Sequence, residues 1–177
     1  MTGTLAEVVP AEPSLRKYLA KYADLFPQQV PEKSRDRYAY LVGRHFYNQT
    51  ANKKAIEMFK YVSQRSPLYP KARYILAITH VANYDAKPAA EAFKELLRYL
   101  LDRKSEGGLE GDQQKLLELA RMGLGRVFYS TGSYETSLKY YDAIERNSHR
   151  WPQALFESGW AHFQVDQYNE ALGNLHS

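Results

Sequence analysis

The chain has 177 residues and no cysteine. Disulfides, thiolate zinc sites, iron–sulfur clusters and cysteine nucleophiles are therefore excluded, while cytoplasm and periplasm both stay open as compartments. No apolar run approaches the ~18 residues of a membrane-spanning helix. The longest candidates, Tyr38 to Val42 and Leu96 to Leu101, are interrupted by Gly or Arg. The opening residues Met1 to Pro10 lack a basic start and an apolar stretch, so these residues carry no targeting segment. A dense basic block is also missing. Lys and Arg number 24 against 20 Asp and Glu, a formal charge of +4 spread along the chain, and nucleic acid is not required as a partner. With 44% hydrophobic and 25% charged residues, the chain is predicted to form one compact domain or a short repeat array.

What the sequence does contain is a repeat. The small residues Ala55, Ala89, Ser137 and Ala171 are separated by 34, 48 and 34 positions. Gly43, Ala77, Gly125 and Gly159 keep the same intervals, as do the large residues Phe59, Phe93, Tyr141 and Leu175. Val62, Leu96 and Ile144 follow them. The simplest account is four units of 34 residues with 14 inserted after the second, at 36–69, 70–103, 118–151 and 152–177, with an insertion loop at 104–117.

Each unit reads as two helices. In the first, Tyr38, Val42, Phe46 and Tyr47 fall at helical spacing, Asn48 to Asn52 break it, and Ala55, Ile56, Phe59 and Val62 line a second helix expected to stop near Ser66-Pro67. The third unit repeats the plan around a turn at Thr131-Gly132-Ser133. Small residues recur because antiparallel helices approach closely only where one side chain is Gly, Ala or Ser. A lone pair exposes its apolar face, so units must stack.

This pattern resembles the tetratricopeptide repeat family. The matching features are the small residue midway in the first helix (Gly43, Ala77, Gly125, Gly159), the alanine opening the second (Ala55, Ala89, Ala171), the aromatic four residues later (Phe59, Phe93, Tyr141) and the closing Pro67. Departures are Ser158 for a large residue, Ser137 for alanine, and Leu101 and His149 for proline. The resemblance implies an all-α solenoid, a right-handed superhelix of helix-turn-helix repeats, of the kind found in bacterial multi-repeat proteins.

Residues 1–13 lack periodicity and are expected to be loose. From Ser14 an amphipathic stripe of Leu15, Tyr18, Leu19, Tyr22, Leu25 and Phe26 predicts a packing helix within 14–35; its few cations, Arg16, Lys17 and Lys21, argue against a membrane-surface helix. Three glycines in the insertion predict a loop, Asp112 an N-cap, and Leu116, Leu117 and Ala120 a backward extension of the following helix. Because nothing polar caps Leu172 and Leu175, the natural chain is expected to continue beyond Ser177.

Catalytic chemistry finds no support. His45, His80, His149, His162 and His176 show no pair three or four apart, so no metal is expected, and His80 and His162 read as packing substitutes for the aromatics Phe46 and Phe128. The insertion's glycines lack the Lys-Ser/Thr of a phosphate loop, Gly123-Leu124-Gly125 lacks the third glycine of a dinucleotide fingerprint, and no nucleophile elbow occurs. No cofactor, no metal and no enzymatic activity are expected. Asn48-Gln49-Thr50 fits a glycosylation sequon, a three-residue match that arises by chance.

The resemblance implies instead that first helices line a concave groove where a partner binds. Arg37, Tyr40, Arg44 and Tyr47 would line it from the first unit and Lys71, Tyr74 and Ile78 from the second. Met122, Arg126 and Tyr129 would follow from the third, and Phe156, Trp160 and Phe163 from the fourth. Tyr, Trp and Arg concentrate binding energy, so a protein or peptide with acidic and apolar side chains is the expected partner, and the chain a protein-interaction scaffold. Tyr40, Arg44 and Ile75 stand where the family's carboxylate clamp would need Lys and Asn, which disfavours a chaperone-tail receptor. The alternative is a structural subunit of a bacterial envelope or motility assembly, self-associating through its ends and touching membranes only indirectly. RNA is disfavoured: Arg44 and Arg126 recur, but Ile78 and Trp160 break the pattern.

Overall fold

The computed structural model describes residues 26–176, with side chains through Asn174. The expected packing helix from Ser14 lies outside these residues except for its end at Phe26. The described residues form helices joined by turns, without a strand among them. They divide into two compact units that meet at Ser66–Pro67.

The first unit holds a short 3-10 turn, Pro27–Gln29, and the helices α1 (Glu32–Asn48) and α2 (Asn52–Lys60). Arg35 fastens the turn to α1 by donating from Nε to the Pro27 carbonyl at 3.1 Å. Asp36 holds the far end of the hairpin, accepting from the Ser63 amide at 2.9 Å and its hydroxyl at 2.8 Å. Pro67 does not terminate α2 as expected. The helix stops seven residues earlier, at Lys60, and Val62 is buried in the turn beyond it.

The second unit stacks three hairpins: α3 (Tyr69–Ala82) with α4 (Ala86–Glu106), α5 (Gln113–Ser130) with α6 (Tyr134–Asp142), and α7 (Trp151–Gln164) with α8 (Tyr168–His176). Helix α5 packs on α3 and α4, and α7 on α6, so each first helix covers the hairpin before it. Pro70 and Pro152 sit in the first turns of α3 and α7, where the missing N–H costs nothing. Proline here opens helices rather than closing them.

All four hairpins turn in one way. The N–H five residues after the last first-helix aromatic or histidine donates back to its carbonyl: Ala51 to Phe46, Asp85 to His80 and Ser133 to Phe128 at 2.9 Å, and Gln167 to His162 at 3.0 Å. The residue before each donor is left-handed: Thr50 (φ 57°), Tyr84 (61°), Gly132 (76°) and Asp166 (60°). This six-to-one closure satisfies carbonyls that the helix end would otherwise orphan. Only Gly132 adopts it without a Cβ penalty, and only Gly132 announced it in the sequence.

The insertion does not form the loop expected over 104–117. Helix α4 runs on through Glu106 for 21 residues and α5 begins at Gln113, leaving only residues 107–112 between them. Asp112 occupies the N-cap position of α5 but makes no side-chain cap, and its carboxylate turns elsewhere.

Close approach depends on missing side chains. A Cβ on Gly43 would lie 2.8 Å from the Phe59 ring, one on Gly125 2.6 Å from Tyr141, and one on Gly123 2.4 Å from Phe93. Phe93 and Phe59 are fully enclosed and cannot retreat. Gly123→Ala is expected to cost about 2 kcal/mol, overpacking outweighing the better helix propensity of alanine. Gly107→Ala, whose Cβ would meet nothing and whose backbone is extended, is expected to leave stability within about 0.5 kcal/mol. Urea denaturation of the two variants checks both values.

Candidate functional site

In the first unit, Arg37 is exposed and Tyr47 half-buried on α1. Tyr40 is not a groove residue. It is 5% exposed and meets Phe59 edge-on at 6.3 Å, because its position faces the second helix of its own hairpin. Arg44 lies over the Tyr40 ring, 5.9 Å from its centroid.

In the second unit the first helices α3 and α5 are adjacent, and ion pairs fix their polar residues. Lys71 Nζ on α3 reaches Asp112 Oδ2 at 3.0 Å, which explains why Asp112 does not cap α5. The hydrogen bond and charge of Lys71 hold the Asp112 carboxyl below its ordinary range. Tyr74 is half-buried with its ring 6.1 Å from Phe93. Ile78 is half-buried, whereas Met122, expected beside it, is 1% exposed and belongs to the core with Tyr141, Ile144 and Ala154. Helix α7 covers it.

Arg126 joins α5 to α7. Its Nε and Nη2 donate to the two Glu157 oxygens at 2.8 and 2.6 Å, a bidentate pair. Tyr141 donates its hydroxyl to the same carboxylate at 3.0 Å. The hydrogen bond from Glu157 pushes the Arg126 guanidinium still further toward its charged form. Burial raises the Tyr141 phenol well above its ordinary 10.0, and the Glu157 charge adds to it. Two of the four cations expected to steer acidic ligands are thus engaged inside the protein.

The aromatic residues sort differently. Tyr129 is half-buried edge-on to Tyr134 at 5.3 Å. Phe156, Trp160 and Phe163 are each 52% exposed, spaced along one side of α7. Phe156 meets Trp160 at 6.4 Å and Phe163 meets Tyr168 at 5.4 Å, both edge-on. His80 faces Asp85 at 3.5 Å and His162 contacts Gln167 at 2.7 Å, so each histidine ties its helix end to the following turn. Among the described residues no group of three His, Asp or Glu could hold a metal ion, and no helix is long and apolar enough to cross a membrane.

No protein-family model matches the chain, and no curated protein does. Solved structures do. The chain is similar to the crystal structure of MamA protein, with TM-score 0.65 and 14% identity over 93% of this chain and 90% of that one. It is also similar to a Podospora anserina putative kinesin light chain with nearly identical TPR-like repeats, with TM-score 0.66 and 15% identity over 92% of this chain and 81% of that one. The fold is an all-α solenoid of the tetratricopeptide-like type.

In tetratricopeptide register Arg126 and Trp160 are equivalent, 34 residues apart. Glu157 stands one turn before Trp160, close enough to reach back to Arg126. An acid three residues before the next unit's equivalent position is the sequence signal that could have found this pair. Asp112 carried no such signal, since it sits within the insertion.

The Tyr141 proton gives a pH dependence of definite sign. Unfolded, the phenol ionises near its ordinary 10.0; folded, it keeps its proton to higher pH, so above pH 10 the unfolded state binds fewer protons and stability falls as pH rises. Tyr141→Phe is expected to flatten that fall, at most ~1.4 kcal/mol per pH unit, and to lower stability at pH 7 by about 1–2 kcal/mol through the lost hydrogen bond. Denaturant titrations of both proteins from pH 7 to 11.5 measure the difference.

Proposed function

We propose that the chain is a protein-interaction scaffold that takes a peptide or protein segment along its first helices. The observation that carries this reading is the half-exposed aromatic stripe of Trp160 and Phe163 on α7, with Tyr74, Ile78 and Tyr129 half-buried on the neighbouring first helices. Large rigid aromatic side chains lose few rotors on binding and bury much area, which makes them anchors. A solvated stripe of this kind on a soluble helix costs solubility unless something uses it. Arg37 and Arg44 offer positive charge from the first unit, while Lys71 and Arg126 are held by Asp112 and Glu157. The partner is therefore recognised mainly by apolar side chains, with acidic groups in a secondary role. Nothing in the arrangement pairs a nucleophile with a base, and the reading assigns no catalysis.

The tetratricopeptide-like fold supports this reading as an analogy, since the printed likenesses fix architecture and not ligand. A display library of random 16-residue peptides selected on the immobilised chain tests it. Enriched peptides are expected to share two or more apolar residues, and to lose at least tenfold in affinity on Trp160→Ala/Phe163→Ala with helicity unchanged. Affinity should change less than about threefold between 0.05 and 0.5 M salt, because few unpaired charges take part. Peptides unaffected by that double variant would remove the groove as the binding face.

A further inference from the structure

The α7–α8 hairpin exposes apolar residues that the same register buries elsewhere in the second unit. Met122 on α5 stands where Phe156 stands on α7; Met122 is 1% exposed and Phe156 52%. Ala90 on α4 and Leu138 on α6 are both 8% exposed, whereas the equivalent Leu172 on α8 is 56% exposed. Tyr168 is likewise open where Ala86 and Tyr134 are half-buried. The difference has one cause. Helix α5 lies on the α3–α4 hairpin and α7 lies on α6, but among the described residues no helix lies on α7–α8.

The chain also records what fills such a face. Helix α7 seals the hairpin before it with Trp151 and Ala154, set against Met122, Tyr141 and Ile144. Helix α5 brings Leu117 and Ala120, both wholly buried, at the corresponding positions. Tyr69 and Ala72 on α3 repeat the pair, again buried. A large apolar residue fills the gap between two helices, and an alanine three residues later lets the backbones close. Three helices of one chain share this spacing and nothing else at these positions.

We infer that the open side of α7–α8, formed by Phe156, Tyr168 and Leu172, is a docking socket for one amphipathic helix that carries a large apolar residue followed three positions later by alanine. This face is separate from the Trp160 and Phe163 stripe, which points along the first helices, so the inference stands apart from the groove reading. Recognition here is by shape. The socket needs an uncharged helix face about two turns long, and its selectivity lies in the alanine, since a longer side chain there would hold the helices apart.

A fluorescein-labelled peptide copying residues 113–130, which includes Leu117 and Ala120, is the probe. Titrated with the 177-residue chain, it is expected to bind saturably by anisotropy. Leu172→Glu in the protein and Ala120→Lys in the peptide should each weaken binding at least tenfold, while Trp160→Ala/Phe163→Ala leaves it within twofold. Because an isolated peptide of this length is weakly helical, the same segment is also joined after Ser177 through a flexible Gly-Ser linker, where effective concentration reaches the millimolar range. The joined protein should unfold at higher denaturant than the chain alone, and Leu172→Glu should remove that gain. Leu172 is more than half exposed, so its replacement leaves the fold intact, checked by helicity. Absence of binding and of any stability gain in both formats would overturn the socket. So would binding that survives Leu172→Glu, and so would binding lost with the groove variant.

Discussion

Everything in this architecture hangs on aromatic rings lying against backbone that carries no side chain. Phe59 occupies the space over Gly43, and Tyr141 that over Gly125, each from the second helix of its own hairpin. Phe93 does the same to Gly123 across the boundary between hairpins. These contacts fix how near two helices come and at what height, and close packing leaves no slack for a methyl group. The placement of charge follows from them. Once Tyr141 is seated on Gly125, its hydroxyl can only point toward α7, where it meets Glu157, and that carboxylate is then held where Arg126 can grip it with two bonds. A packing rule between small and large residues thus decides which cation is available to a ligand.

The same dependence explains the fate of the insertion. Fourteen extra residues placed after the second repeat could have bulged as a loop, yet most are absorbed by lengthening α4 and by starting α5 earlier. Helical backbone satisfies its own hydrogen bonds, whereas a long loop must find partners for each group or expose it. Leu116 and Leu117 at the start of α5, and Tyr99 and Leu100 late in α4, are buried, so the extension enlarges the core. It also moves charges into reach of one another. Lys104 meets Glu145 at 3.2 Å and Lys71 meets Asp112 at 3.0 Å, partners separated by 41 residues in both cases.

The repeat and its period were legible because packing contacts recur at fixed intervals and demand residue classes that composition reveals. Helix ends were less so. Pro67 read as a stop for α2 because proline cannot continue a helix, but the chain had already turned at Lys60, and the turn that ends each first helix is set by a left-handed residue that is Thr, Tyr or Asp in three cases out of four. Backbone closure from the fifth residue on fixes that conformation without needing glycine. Of the residues proposed for a groove, Phe156, Trp160 and Phe163 are open to solvent while Tyr40 is enclosed. Helical projection assigns a face to each residue; it does not reveal that the face at Tyr40 is taken by Phe59.

Charge was the hardest property to read. Lys71 and Arg126 lie on the expected helices, and counted alone they suggest a basic surface, but a cation matched by a hydrogen-bonded carboxylate contributes little field beyond a few ångströms. Glu157 is more than an accidental neighbour of Arg126, since it accepts three hydrogen bonds in all and is itself mostly enclosed. Displacing it would leave a carboxylate with one phenol donor in a partly desolvated place, a cost that any incoming acid must exceed before it gains anything from Arg126. An apolar side chain meets no such cost at Trp160 and Phe163. The pairing of Arg126 with Glu157 therefore acts as a filter, raising the threshold for acidic ligands and leaving recognition to shape and apolar area.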